Sequence, residues 1–265
     1  IIESCFTHSG AKRDLKFDIK KFEKFKEKII YKVYDQVPSK IWKISKNDTE
    51  IIKSHKYIEN ALLRENGQRN YINEGIKNAK DEDIILVSDV DEIPNLSGID
   101  IGNIKEKIIL FKQDMFYYKF NLKLPNMEWT GTKACKKKNY VSAQWLRNIK
   151  DRKYPFYRID TLFSDKKFMS VNIINNGGWH FSNIKSAKEI EVKLKSYLHH
   201  REFDLEPLDT KGIKRMIENK QAIYDLRVDK TVNKIGTGDK LEKYNIDNLP
   251  EVIKLNLNKY KAWLD

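Results

Sequence analysis

The stretch Ile84-Ile85-Leu86-Val87-Ser88-Asp89-Val90-Asp91-Glu92-Ile93-Pro94 decides how this chain is read. Its first four residues are apolar without alternation, and a short apolar run bounded by polar turns fits a central strand buried on both faces. The acidic turn Asp81-Glu82-Asp83 leads into the run, and three closely spaced carboxylates follow it. In an open α/β sheet, ligands bind outside the carboxyl ends of the strands, so Asp89, Asp91 and Glu92 stand where a site is expected. Carboxylates this close repel one another unless a cation neutralises them, and oxygen ligands shared with phosphate suit Mn²⁺ or Mg²⁺. The bland alternative is a solvated acidic turn, since an Asp-x-Asp triplet often arises by chance. The apolar strand before it and Pro94 after it favour the functional reading.

Working outward, Ile1-Ile2-Glu3 reads as the end of a buried strand and Ile29 to Tyr34 as a second strand. From Ile58 to Ala79 the positions Ile58, Leu62, Ile72, Ile76 and Ala79 recur at helical spacing, with Gly67 a point of interruption. Ile108 to Phe111 predicts a further strand, extended by Phe116, Tyr117, Tyr118 and Phe120. The order β-α-β-β predicts an α/β fold with a mainly parallel sheet in a single domain over residues 1–265. Leu122 to Ser164 lacks long periodicity and predicts loops and short elements, of the kind that set substrate specificity.

Val171 to Ile174 is again strand-like, and Asn175-Asn176-Gly177-Gly178 is a turn delivering Trp179-His180-Phe181. A lone histidine between aromatics is more often a core residue than a ligand. Yet the two glycines permit close backbone approach, and imidazole suits Mn²⁺ beside carboxylate and phosphate oxygens. Ser186 with Glu189 predicts a capping box for a helix using Ile190, Leu194, Tyr197 and Leu198. Another helix is expected from Gly212 to Tyr224, and Leu249 to Leu264 predicts a short strand and a docking tail.

Hydrophobic residues at 40% and aromatics at 11% supply enough apolar surface for a globular chain. The formal charge of +13 fits a nucleic-acid binder, a protein of acidic surfaces or an enzyme whose substrate carries phosphate. The lysines are spread along the chain, Lys136-Lys137-Lys138 being the densest run, and no recognition helix, zinc module or aromatic RNA-binding signature accompanies them. That pattern argues against specific nucleic-acid recognition. Cys5 and Cys135 are too few for a disulfide framework and leave one bridge open. No transmembrane segment or signal-peptide pattern is present in the sequence, so the chain as given reads as soluble.

Five segments, taken in order, resemble the family 17 glycosyltransferases. They are Glu3-Ser4 with Thr7-His8-Ser9-Gly10, Gln68-Arg69-Asn70, Ile84 through Pro94, Trp129-Thr130-Gly131-Thr132, and Gly177-Gly178-Trp179-His180-Phe181-Ser182. The resemblance implies a GT-A fold in one Rossmann-like domain, a UDP-sugar donor such as UDP-GlcNAc, and an oligosaccharide or glycoconjugate acceptor. It also implies a divalent metal and inversion at the anomeric carbon. Carried onto this sequence, Asp89 and Asp91 become the metal-diphosphate element with Glu92 beside them, His180 a diphosphate or metal contact, and Gln68, Arg69 and Trp179 donor contacts. Members of the family normally carry another strand and helix before the segment matching Ile1 to Ser4, so an N-terminally incomplete domain is expected.

An inverting transfer needs a base on the acceptor side. Glu128 is the first choice because Trp129 beside it can stack on a sugar, with Asp114 and Asp160 as alternatives. Two rival readings stay open. One is another metal-dependent phosphate-handling enzyme, a nucleotidyltransferase or phosphohydrolase. The other is a noncatalytic carbohydrate- or nucleic-acid-binding module.

Overall fold

A computed structural model describes the chain except for residues 156, 162, 169, 197–202, 204–206 and 225–234. It divides into two compact units, one of Ile1–Ala79, Ser142–Gln144 and Glu191–Pro207, the other of Lys80–Val141, Trp145–Ile190 and Leu208–Asp265.

In the first unit, β1 (Ile2–Ser4) and β2 (Lys32–Tyr34) pair in parallel, with Ser4 opposite Tyr34. Helix α1 (Glu50–Asn70) begins at Thr49, whose side chain accepts the Ile52 N–H at 3.3 Å. It starts well before Ile58, and the apolar spacing does not mark that start because Ile51 and Ile52 in the first turn are exposed and add nothing to an inward stripe. Gly67 does not interrupt it: the missing Cβ is the space into which the Tyr34 hydroxyl fits. The α-helix gives way to a 3₁₀ segment at Tyr71–Gly75, so the periodic positions Ile72, Ile76 and Ala79 fall outside it.

The second unit is built on a seven-stranded sheet. Its strands are β3 (Ile84–Val87), β4 (Glu92–Pro94), β5 (Ile108–Tyr117), β6 (Leu122–Lys136), β7 (Val171–Ile174), β8 (Gly178–Ser182) and β9 (Glu242–Lys243). The order is β3-β6-β5-β8-β4, with β7 also on β5 and β9 also on β6. Four pairings are antiparallel and two are parallel, β5 with β7 and β5 with β8, so the expected mainly parallel sheet is corrected to a mixed one. The physical reason is the connection between β5 and β6: only residues 118–121 separate them, and so short a link can only reverse the chain.

Two further expectations change with this. The region from Leu122, read as loops, is instead the longest strand of the sheet, 15 residues. Its period is hidden because Asp114 pairs with Glu128 while Phe116 pairs with Lys123, a bulge in β6 that contains Pro125 and Asn126 at φ 56°. The run Ile84–Val87 stands at one end of the strand order rather than at its centre. It is apolar throughout because it is covered on both sides. Ile85 and Val87 are buried, and Ile84 and Leu86 pack on the cluster of Ile109, Phe111 and Ala134.

The helices are short. These are α2 (Ala143–Asn148), α3 (Ala187–Leu194), α4 (Thr210–Glu218), α5 (Glu251–Lys254) and α6 (Leu257–Tyr260). The capping box forms ahead of α3, Ser186 Oγ standing 2.7 Å from Glu189 Oε2. Tyr197 and Leu198, also assigned to that helix, lie outside the described residues. Helix α4 ends before Tyr224, and the C-terminal stretch is helical where a strand is expected. It does dock: Leu249 and Ile253 join Phe116 and Phe181 in one cluster, and the Asp265 N–H donates to Asn121 Oδ1 at 2.7 Å. Both cysteines are free thiols.

The turn into β8 depends on Gly178, whose φ is +128° and whose added Cβ would overlap the Ile93 carbonyl and come within 2.7 Å of Asn95 N. Gly178→Ala should therefore lower unfolding stability by about 2 kcal/mol or more, measured by urea denaturation, because it combines backbone strain with disruption of the β4–β8 pair.

Candidate active site

Strand β3 ends at Val87, and the next four residues turn the chain into β4. Ser88 fixes the exit, its hydroxyl 2.6 Å from that of Thr132 on β6. The turn closes on itself: the Glu92 N–H donates to the Asp89 carbonyl at 3.1 Å, and the Asp89 N–H donates to Glu92 Oε2 at 3.1 Å. Val90 is left fully exposed at the tip. β4 then pairs with β8, Glu92 opposite His180, and the Phe181 N–H donates to the Asp91 carbonyl at 2.8 Å.

The Glu92 side chain is 0% exposed, and a buried carboxylate is tolerated only when its oxygens are well served. Trp129 Nε1 donates to Oε1 at 2.9 Å, and the Arg147 guanidinium spans both oxygens, at 3.1 Å each. Arg147 also donates to the Gly131 carbonyl, and its Nη2 donates to Asp89 Oδ2 at 2.8 Å. Gly131 has to be a glycine, since a Cβ there would overlap Gln113 Oε1 and stand 2.8 Å from the Glu92 carboxyl carbon. The segment Trp129-Thr130-Gly131-Thr132 thus acts through Trp129 as donor to Glu92, through Gly131 as room for it, and through Thr132 as tether for Ser88.

Arg147 lies on α2, and the Lys133 ammonium holds the end of that helix, donating to the Arg147 and Ile149 carbonyls at 2.6 Å each. Burial, with the nearby Arg147 charge adding to it, pulls the Lys133 amine down to about 8.

On the other side of the turn, Asp91 Oδ2 faces His180 Nε2 at 3.5 Å. The imidazole leans on the Trp129 ring, centroids 5.2 Å apart at 43°. His180 Nδ1 is buried with no hydrogen-bond partner among the described residues. The Asp91–His180 separation is long for a direct hydrogen bond. Among the described residues no group of three or more His, Cys, Asp or Glu side chains is placed to hold a metal ion. One carboxylate with substrate phosphates and water suits Mn²⁺ or Mg²⁺, and an imidazole can join the shell of Mn²⁺.

The fold therefore brings together Asp89, Asp91, Glu92 and His180, and it divides the other residues read from the sequence. Glu128, Asp114 and Trp179 are register neighbours across β6, β5 and β8. Successive strand residues point to opposite faces, so these three share the face opposite Trp129 and His180. Asp114 is paired there with Lys123 at 2.6 Å, and Trp179 Nε1 donates to the Asn248 carbonyl at 3.0 Å. Asp160 stands on an exposed 3₁₀ turn, where hydrogen bonds from Arg158 and Lys167 hold its carboxyl well below the usual range. Gln68 and Arg69 belong to the first unit, where Arg69 pairs with Glu65 at 2.6 Å and donates to Gln144. Arg147 escaped the sequence reading. The one available signal is that clustered carboxylates need a cation from the chain, and 51 lysines and arginines offer too many.

A mixed α/β sheet with acidic and imidazole side chains gathered beyond one strand is consistent with a glycosyltransferase, an enzyme using a sugar donor and a glycan acceptor. More particularly, the family model described as Glycosyltransferase family 17 matches residues 1–265, and the chain belongs to that family. Searches of curated proteins and of solved structures return no match. Among the described residues no helix is long and apolar enough to cross a membrane.

Trp129→Phe keeps the ring but removes a donor to a fully buried carboxylate. It should lower unfolding stability by about 1–3 kcal/mol in urea denaturation.

Proposed function

We propose that this glycosyltransferase transfers GlcNAc from UDP-GlcNAc to a glycan acceptor with inversion at the anomeric carbon, using Mn²⁺ or Mg²⁺. The observation that carries the reading is the meeting of Asp91 and His180, distant in sequence, at 3.5 Å, with a second carboxylate of the same turn, Asp89, engaged by Arg147.

Asp91 and His180 would hold the cation, with Asp89 adjoining. When bound, the cation supplies positive charge that stabilises a departing diphosphate. The remaining work is done by residues already in place. Trp129 packs against the His180 ring and orients it, while its N–H holds Glu92. The Phe181 N–H fixes the Asp91 backbone, so the carboxylate and the imidazole are carried on hydrogen-bonded neighbours rather than on a mobile loop. Such preorganisation is what a site needs when charge moves to a leaving group.

Calorimetry with UDP-GlcNAc, with and without Mn²⁺, tests this. The wild-type chain is expected to bind the nucleotide sugar only with metal. Asp91→Asn should weaken that binding by about tenfold or more without shifting the thermal midpoint, because the Asp91 side chain is 30% exposed and the change preserves its size. Equal affinities that survive chelation would overturn the metal role and favour a noncatalytic module. Tighter binding of another UDP-sugar would overturn the donor assignment alone.

A further inference from the structure

Arg147 places a fixed positive charge beside the carboxylate turn. Its side chain is 9% exposed, and Lys133 holds the helix end that carries it. Pairing with both Glu92 oxygens already compensates the buried carboxylate. The contact of Nη2 with Asp89 Oδ2 at 2.8 Å lies outside that task, because the Asp89 side chain is 37% exposed and water could serve it.

We infer that Arg147 draws Asp89 away from the metal in the donor-free enzyme, so that a divalent cation alone meets only Asp91 and His180 and is held firmly only together with a diphosphate. The inference rests on the metal-dependent reading above. Of the three negative charges of Asp89, Asp91 and Glu92, Arg147 offsets one and engages an oxygen of Asp89 directly. What remains is a two-residue donor set, which suits an ion that keeps water and takes substrate phosphate for the rest of its shell. The chain then binds metal with nucleotide rather than before it. Arg147 acts as a positioning residue: it touches Asp89, and through Asp89 it sets which carboxylate faces the cation.

The test is a titration of the full chain with Mn²⁺, followed by the paramagnetic resonance of the free ion, with and without UDP. Wild type should bind Mn²⁺ alone weakly and at least about tenfold more tightly with UDP. Asp89→Asn should leave the affinity for Mn²⁺ alone within about twofold, whereas Asp91→Asn should abolish it. The double variant Glu92→Gln, Arg147→Met removes both charges of the buried pair together and strands neither. It releases Asp89 and should tighten Mn²⁺ alone by about tenfold, a gain that adding Asp89→Asn should reverse. A purely structural role for Arg147 would give weaker binding in the double variant, never tighter. A loss in Asp89→Asn as large as in Asp91→Asn, or a folded double variant no tighter than wild type, overturns the inference and leaves the metal site standing. If circular dichroism finds the double variant unfolded, the comparison of Asp89→Asn with Asp91→Asn decides. Absence of Mn²⁺ binding by wild type even with UDP removes the metal reading and the inference with it.

Discussion

The buried pair of Glu92 and Arg147 is the constraint around which the candidate site is arranged. A carboxyl group with no solvent access must be met by donors on every side, and the chain draws those donors from separate elements. Asp89 gives a backbone N–H from the turn, Trp129 an indole N–H from β6, and Arg147 its guanidinium from α2. Each partner is in turn fixed: Trp129 by its strand pairing with Gln113, and Arg147 by the helix end that Lys133 caps. A buried ion pair is weak evidence for stability, because desolvation offsets much of the attraction. What it supplies is a single arrangement, since few other packings satisfy four donors and one carboxylate at once.

The same arithmetic explains which parts of the site were legible in the sequence. The turn after Ile84–Val87 was readable because its apolar run and its acidic cluster are both local. His180 was readable only through the resemblance of its flanking segment, since nothing local distinguishes a ligand from a core histidine. Glu92 was assigned to donor binding with Asp89, yet its side chain is wholly inward, a role invisible until the partners on β6 and α2 are known. The β-α-β-β order points to a parallel sheet, but the short link between β5 and β6 reverses the chain and overrides it. β6 itself was missed because a bulge at Pro125 and Asn126 and a glycine at 131 erase the alternation that marks a strand.

The alternation of strand side chains divides the carboxylates into two groups. One face of β4, β6 and β8 carries Glu92, Trp129 and His180, and the other carries Glu128, Asp114 and Trp179. On that second face lie Phe116, Phe181, Leu249 and Ile253, so the C-terminal tail covers an apolar cluster there rather than approaching the acidic turn. Sequence proximity misleads here: Glu128 and Trp129 are neighbours in the chain but are separated by the thickness of the sheet.

Within the turn the three carboxylates are not equivalent, and burial sorts them. Glu92 is enclosed and held by four donors. Asp89 is partly exposed but engaged by the same guanidinium, and Asp91 is partly exposed and turned toward an imidazole. A spacing of two residues within a tight turn sends Asp89 and Asp91 to different neighbours, one toward α2 and one toward β8. A motif read as a pair of equal ligands therefore resolves into one carboxylate that presents to a partner and one that is tied back. The third holds the turn in the shape that makes the difference possible.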